Sequence, residues 1–146
     1  MAIKKPNKPE TPLQATYQKF WQEFNKASRL CIPFRRAFTP HPYGSIRSYQ
    51  DYAVGEPFHI VAGVDFKRSE IHVGAYFHDV ESYLFFYELN KELIEGRMEK
   101  RLAWKHHNTK ASVFVYDTVD FDESHGWENA FDVIITRMLQ MREQFR

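Results

Sequence analysis

Asp65, Lys67 and Glu70 lie close together in the chain, and His72 follows two positions after the last of them. Carboxylates hold a hard divalent cation, the cation activates water, and cation and lysine together offset phosphate charge. These residue types point to a divalent-metal-dependent nuclease or a related phosphoryl-transfer enzyme, and a divalent metal enters only under that reading. The set is incomplete, because the second neighbour of Glu70 is His72 where a lysine is expected. A charged hairpin turn explains the same residues more simply. We therefore assign no catalytic set and no metal site, and we expect no cofactor.

A second group is His59, His72 and His78. Imidazoles bind transition metals and carry protons. The chain has no His-x-His or His-Glu-x-x-His run, so a surface or hydrogen-bonded structural role comes first. Tyr76 has the parity of His72 and His78, and Gly74 between them leaves room for a side chain, a ligand or a helix. On an open sheet face, His59, His72, Tyr76 and His78 would floor a small-ligand module. Under a covering helix, Gly74 would simply permit close packing, which is the preferred reading.

A third group is basic. Arg35, Arg36 and Arg47 fall in one irregular stretch, and Arg97, Lys100, Arg101, Lys105, His106, His107 and Lys110 form another. Lysine and arginine meet phosphates, and rings such as Tyr43, Tyr49 or Trp104 stack on bases. Arg35, Arg36, Arg47, Arg101 and Lys105 are the candidate nucleic-acid contacts. Their spread over several elements favours a solvated surface. Cys31 has apolar neighbours, Leu30 and Ile32, and no local histidine, so it reads as a packed thiol rather than a nucleophile. No Gly-rich phosphate loop, dinucleotide fingerprint or serine elbow is present in the sequence.

The elements that must position these residues follow from periodicity. Thr11 and Pro12 suit a helix N-cap and first position, and Leu13, Tyr17, Phe20, Trp21, Phe24 and Ala27 recur at helical spacing, predicting a helix over 13–30. Residues 32–55 are broken by Pro33, Pro40, Pro42 and Gly44. That stretch packs across the domain edge, with a short helical turn or a short strand near 45–52. Residues 57–66 and 70–78 each alternate, with Phe58, Ile60, Ala62 and Val64 on one side of the first and Ile71, Val73, Ala75 and Phe77 on one side of the second, which predicts an antiparallel hairpin. A helix over 80–98 follows, with Tyr83, Leu84, Tyr87, Ile94 and Met98 in its stripe. Phe85 and Phe86 widen the stripe and predict cover on more than one side. A second strand pair is expected at 101–106 and 111–116. A last helix is expected at 125–145, capped by Ser124, with Trp127, Phe131, Ile134, Met138, Met141 and Phe145 buried.

The order α-β-β-α-β-β-α, with an extra element near Tyr49, makes an α/β chain of the α+β type: a mainly antiparallel sheet with three packing helices. Residues 1–12 read as a flexible N-terminal leader and 13–146 as a single domain. The 146 residues are 43% hydrophobic and include 13 Phe, 8 Tyr and 3 Trp, which is ample for one core. Twenty basic and 19 acidic side chains leave a formal charge of +1, too little for a long-range pull on nucleic acid. A single cysteine excludes an internal disulfide. No apolar stretch follows Ile3-Lys4-Lys5, and no run is long enough to span a bilayer, so the expected location is the cytoplasm and no membrane partner is expected.

Tyr17-x-x-Phe20-Trp21-x-x-Phe24, the strand Ile71-x-Val73, Leu89-x-x-x-Leu93-Ile94-Glu95, Leu102-x-Trp104, Trp127 and the closing Met141-Arg142-x-x-Phe145 together resemble a bacterial domain family of unknown function, number 4268 in the unknown-function series. That family occurs alone and also behind restriction-nuclease-like domains. The resemblance covers roughly 13–145. It implies an α/β fold and a setting in nucleic-acid processing or defence against foreign DNA, and it supplies no catalytic residues. The expected function is a non-enzymatic interaction or accessory domain, with a protein partner or a homodimer first and nucleic acid second. The alternatives are the nuclease and the small-ligand module.

Overall fold

A computed structural model describes residues 7–122 and 126–145. The first helix, α1 (Pro12–Arg29), begins where Thr11 accepts a hydrogen bond from the Gln14 amide at 3.1 Å. That bond satisfies one of the donors a helix start leaves unpaired. A short α2 (Ile32–Ala37) follows, then β1 (Tyr49–Ala53), β2 (Phe58–Asp65) and β3 (Glu70–Phe77). Next come α3 (Val80–Met98), β4 (Ala103–His107), β5 (Lys110–Thr118) and α4 (Glu128–Gln144). The element expected near 45–52 is thus the edge strand β1, and the short helix α2 lies earlier in the same stretch. Asp79 caps α3 by accepting from the Ser82 amide at 2.7 Å. The expected cap Ser124 and helix start His125 lie outside the described residues, as do the first six residues of the leader; α4 starts after Trp127, whose own side chain makes no capping bond. From Asn7 onward the leader is tied to α1, since Gln18 Nε2 donates to the Asn7 carbonyl at 2.7 Å.

The five strands form one antiparallel sheet in the order β1-β2-β3-β5-β4. Alternation assigns each residue to a face. Phe58, Ile60, Ala62 and Val64 join Ile71, Val73, Ala75, Phe77, Ala111, Val113 and Val115 on one face, all buried. Against it pack Phe20, Trp21 and Phe24 of α1, Phe34 of α2, Phe86, Ile94 and Met98 of α3, and Phe131, Ile134, Met138 and Met141 of α4. The result is two layers, helices over one face of a sheet. No helix among the described residues is long and apolar enough to cross a membrane.

Three residues depart from the stripes read in sequence. Leu13 in the first turn of α1 is exposed, and so are Phe85 and Tyr87 of α3, Phe85 at 55%. Among the described residues, helix α3 is covered on one side only. The buried interior also contains polar groups. Asn25 and Gln50 exchange hydrogen bonds, Nδ2 to Oε1 at 3.1 Å and Nε2 to Oδ1 at 2.8 Å, and Gln50 Nε2 also donates to the Tyr52 hydroxyl at 2.9 Å. This satisfied network fixes α1 to the edge strand β1. Burial pushes the Tyr52 phenol well above its ordinary pKa, and the Gln50 bond only partly opposes that rise.

Candidate functional site

The opposite face of the sheet is where the chemistry-bearing residues gather. Register places Tyr49, Gly63, His72 and Tyr116 in one cross-strand row. Asp51, Val61, Gly74, Phe114 and Ala103 form the next, and Ala53, His59, Tyr76, Ser112 and Lys105 the third. The shallow depression over these rows, about 770 Å³, is lined by strand and turn residues with Tyr17 of α1 at one end. Among the described residues no helix lies across it.

Two glycines make this floor flat. A Cβ on Gly63 would overlap the His72 imidazole, and one on Gly74 would overlap both the Phe114 ring and the Val113 carbonyl oxygen. Gly74 therefore serves close packing, and what it packs against is a ring from the adjacent strand rather than a helix. Side chains of one strand lie flat over the backbone of the next, so the surface is aromatic and nearly continuous. Phe114 meets His72 at 5.8 Å and Tyr76 at 5.4 Å between ring centroids. The conflict at Gly74 involves backbone that cannot swing aside. Gly74→Ala is expected to cost about 2 kcal/mol in denaturant unfolding, with the Phe114 ring displaced in a nuclear Overhauser map.

At one end of the floor His59 stacks on Tyr76 at 5.5 Å and on His78 at 5.4 Å. The His59 Nδ1 and His78 Nε2 lie 3.2 Å apart, and His78 Nδ1 meets Glu56 Oε2 at 2.8 Å. Asp51 Oδ1 stands 3.7 Å from His59 Nε2. The result is a string of carboxylate, imidazole, imidazole, carboxylate along the edge of the sheet. The hydrogen bonds within it hold the two imidazole rings in fixed orientations.

His72 stands apart from this string, four residues before Tyr76. Burial lowers its pKa, outweighing the nearby Glu70 and Asp65 carboxylates, which act to raise it. With the folded value below the unfolded value of about 6.5, the unfolded chain binds more protons in the interval between them. Stability is thus complete above that pH and falls as pH drops through the interval. His72→Gln is expected to flatten this part of the stability profile, and proton NMR titration is expected to place the His72 midpoint below those of ordinary histidines. A midpoint at or above the ordinary value would contradict the assigned environment. Tyr76 is shifted upwards by burial first, then by Tyr116, Asp51 and Tyr49.

The remaining sequence candidates are placed as follows. Asp65 and Glu70 are direct cross-strand partners, but Asp65 holds the turn by accepting from the Arg68 amide at 3.0 Å. Lys67 is exposed in that turn. Among the described residues no group of three His, Cys, Asp or Glu side chains is arranged to hold a metal ion. The five basic candidates do not converge. Arg35 and Arg36 are exposed on α2, which packs on α1 and α4 in the helical layer. Arg101 is exposed just before β4. Lys105 reaches the depression from β4, while Arg47 sits at the opposite edge and donates from Nη1 to the Tyr49 hydroxyl at 3.0 Å. Cys31 is half-buried at the start of α2 and packs against the core.

Sequence reasoning missed Tyr49, Asp51, Phe114 and Tyr116 as members of this face. Their alternation was readable, but their neighbours depend on strand order. Glu56 lies in a loop and carried no signal.

Helices on one side of an antiparallel sheet and a bare aromatic floor on the other define a two-layer α+β domain with one open sheet face. The chain belongs to the family described as Domain of unknown function (DUF4268), whose model matches residues 16–146. No curated protein and no solved structure matches it.

Proposed function

We propose that this chain is a non-catalytic interaction domain, accessory to nucleic-acid processing or defence against foreign DNA, and that it recruits a protein partner through the open sheet face. The observation that carries the proposal is the aromatic floor itself, with Tyr76 43% and Tyr116 37% exposed on it. Tyrosines held by a rigid sheet make strong interface anchors, because they bury large area at little entropic cost and keep a polar tip. Asp51, Asp65 and Glu70 border the same depression, against Lys105 on the other side of the charge balance. Their charge favours arginine or lysine side chains of a protein over the phosphates of a nucleic acid. The setting in nucleic-acid processing is the one that the family resemblance implies.

The test is native capture with the intact chain and with Tyr76→Ala/Tyr116→Ala, read by mass spectrometry and by staining for nucleic acid. Capture of a defined protein by the parent and its loss from the double variant is the expected result. Equal capture by both, or recovery of nucleic acid that survives high salt in place of protein, would overturn the reading. Tyr76 and Tyr116 are both partly exposed, and melting curves of parent and variant separate lost capture from lost folding.

A further inference from the structure

Helix α3 is apolar on both sides. Tyr83, Phe86, Ile94 and Met98 face the core. On the outer side Phe85, Leu89 and Leu93 follow one another every four residues and are 55%, 71% and 51% exposed. Four-residue spacing aligns them in one row along the helix. The row runs on to Gly96, where an added Cβ would meet nothing. Single exposed leucines are ordinary on protein surfaces, but a contiguous apolar row is not. Helix formation does not require it, since Glu, Lys, Gln and Arg serve an exposed helix position nearly as well as Leu.

The charge beside the row says what covers it. Glu81, Glu88 and Glu92 are spaced by seven and four residues, which sets them on one flank of the row, and all three are exposed. No ion pair within the described residues engages any of them. Two copies of α3 in antiparallel two-fold contact would press this acidic flank against itself, which costs energy. We infer that the outer face of α3 docks an amphipathic helix of another protein, one whose apolar row is flanked by lysine or arginine. This face is separate from the aromatic floor across the sheet and does not depend on the reading given for it.

The probe is a fluorescein-labelled helical peptide with leucine every three to four residues and lysine at the flanking positions. A control peptide carries glutamate at those flanks. Anisotropy titrations use the full chain at low and high salt. The lysine peptide is expected to bind about tenfold more tightly than the glutamate peptide at low salt, with the gap narrowing as salt rises. Leu89→Glu is expected to weaken the lysine peptide by about thirtyfold. Glu88→Lys/Glu92→Lys is expected to reverse the preference between the two peptides. Because these side chains are exposed, unchanged melting curves separate lost docking from lost folding. Equal affinity for both peptides, or no saturable binding of either, would overturn the inference. So would a dimer mass in light scattering that Leu89→Glu converts to a monomer, since that result gives the row to a second copy of the chain.

Discussion

Phe20→Ala is expected to remove about 4 kcal/mol of unfolding free energy, a large part of what a domain of this size possesses. Phe20 is fully buried. Its ring lies 5.0 Å from Trp21, 5.6 Å from Phe66, 5.9 Å from Phe121, 5.1 Å from Trp127 and 5.1 Å from Phe131, centroid to centroid. Most of these contacts are edge-to-face, the arrangement the ring quadrupoles favour. The five neighbours come from α1, the β2–β3 turn, the loop after β5, and α4 with its N-cap. Truncation therefore opens a cavity that no single element can close by moving inward, which is where large-to-small changes cost most. Phe20→Leu keeps much of the volume and is expected to lose roughly half as much. Urea unfolding followed by tryptophan fluorescence measures both. A loss under about 1 kcal/mol for the alanine variant would show that the aromatic cluster does not organise the helical layer.

Arg137→Ala is the second large effect, expected at about 3 kcal/mol near neutral pH. Arg137 makes a bidentate pair with Asp117, Nε to Oδ2 at 2.8 Å and Nη2 to Oδ1 at 2.9 Å, and its Nη1 donates to Gln140 Oε1 at 2.8 Å. Both side chains are mostly buried, 16% and 15% exposed, and Lys100 Nζ stands 3.4 Å from the same carboxylate. The pair joins the end of β5 to α4. Removing the guanidinium leaves a largely desolvated carboxylate with one lysine at the rim. Arg137→Lys restores charge without the two-pronged geometry and is expected to recover only part of the loss.

The same pair sets an acid dependence. Burial alone would raise the Asp117 pKa, but the Arg137 hydrogen bonds and charge, with Lys100, bring it below the ordinary carboxylate value. A group with a depressed folded pKa contributes its full stability above the unfolded value, about 3.9 for aspartate. That contribution is lost as pH falls through the folded value. The difference between parent and Arg137→Ala is thus expected to be constant from neutral pH down to about 5 and to shrink below 4. A difference that widens on acidification would show that Asp117 is not the partner that matters.

Much of the architecture is legible in local spacing. Phe58-x-Ile60-x-Ala62-x-Val64 and Ile71-x-Val73-x-Ala75-x-Phe77 place apolar groups on one side of two short strands joined by a charged turn, and β2 and β3 pair across that turn. The helix over 80–98 is bounded by Asp79 and Glu99. The row Trp127, Phe131, Ile134, Met138, Met141 and Phe145 is buried throughout. These features repeat every two or every three to four residues, and a local period needs no knowledge of distant partners.

The open floor is different in kind. The parity of His72 and Tyr76 could be read, yet whether a helix covered them could not, because either arrangement satisfies the same alternation. The insertion of β5 between β3 and β4 brings Phe114 over Gly74 and Tyr116 beside His72. The meeting of His59, His78, Glu56 and Asp51, and the burial of Asn25 against Gln50, depend on pairings between residues 19 to 25 positions apart or on strand register. The amino-acid sequence by itself determined which residues point inward along β2, β3 and α4, since that follows from backbone repeat and apolar character. Only the tertiary structure decided which outward faces stay bare and which polar groups meet on them, because strand order and helix placement are settled by long-range packing.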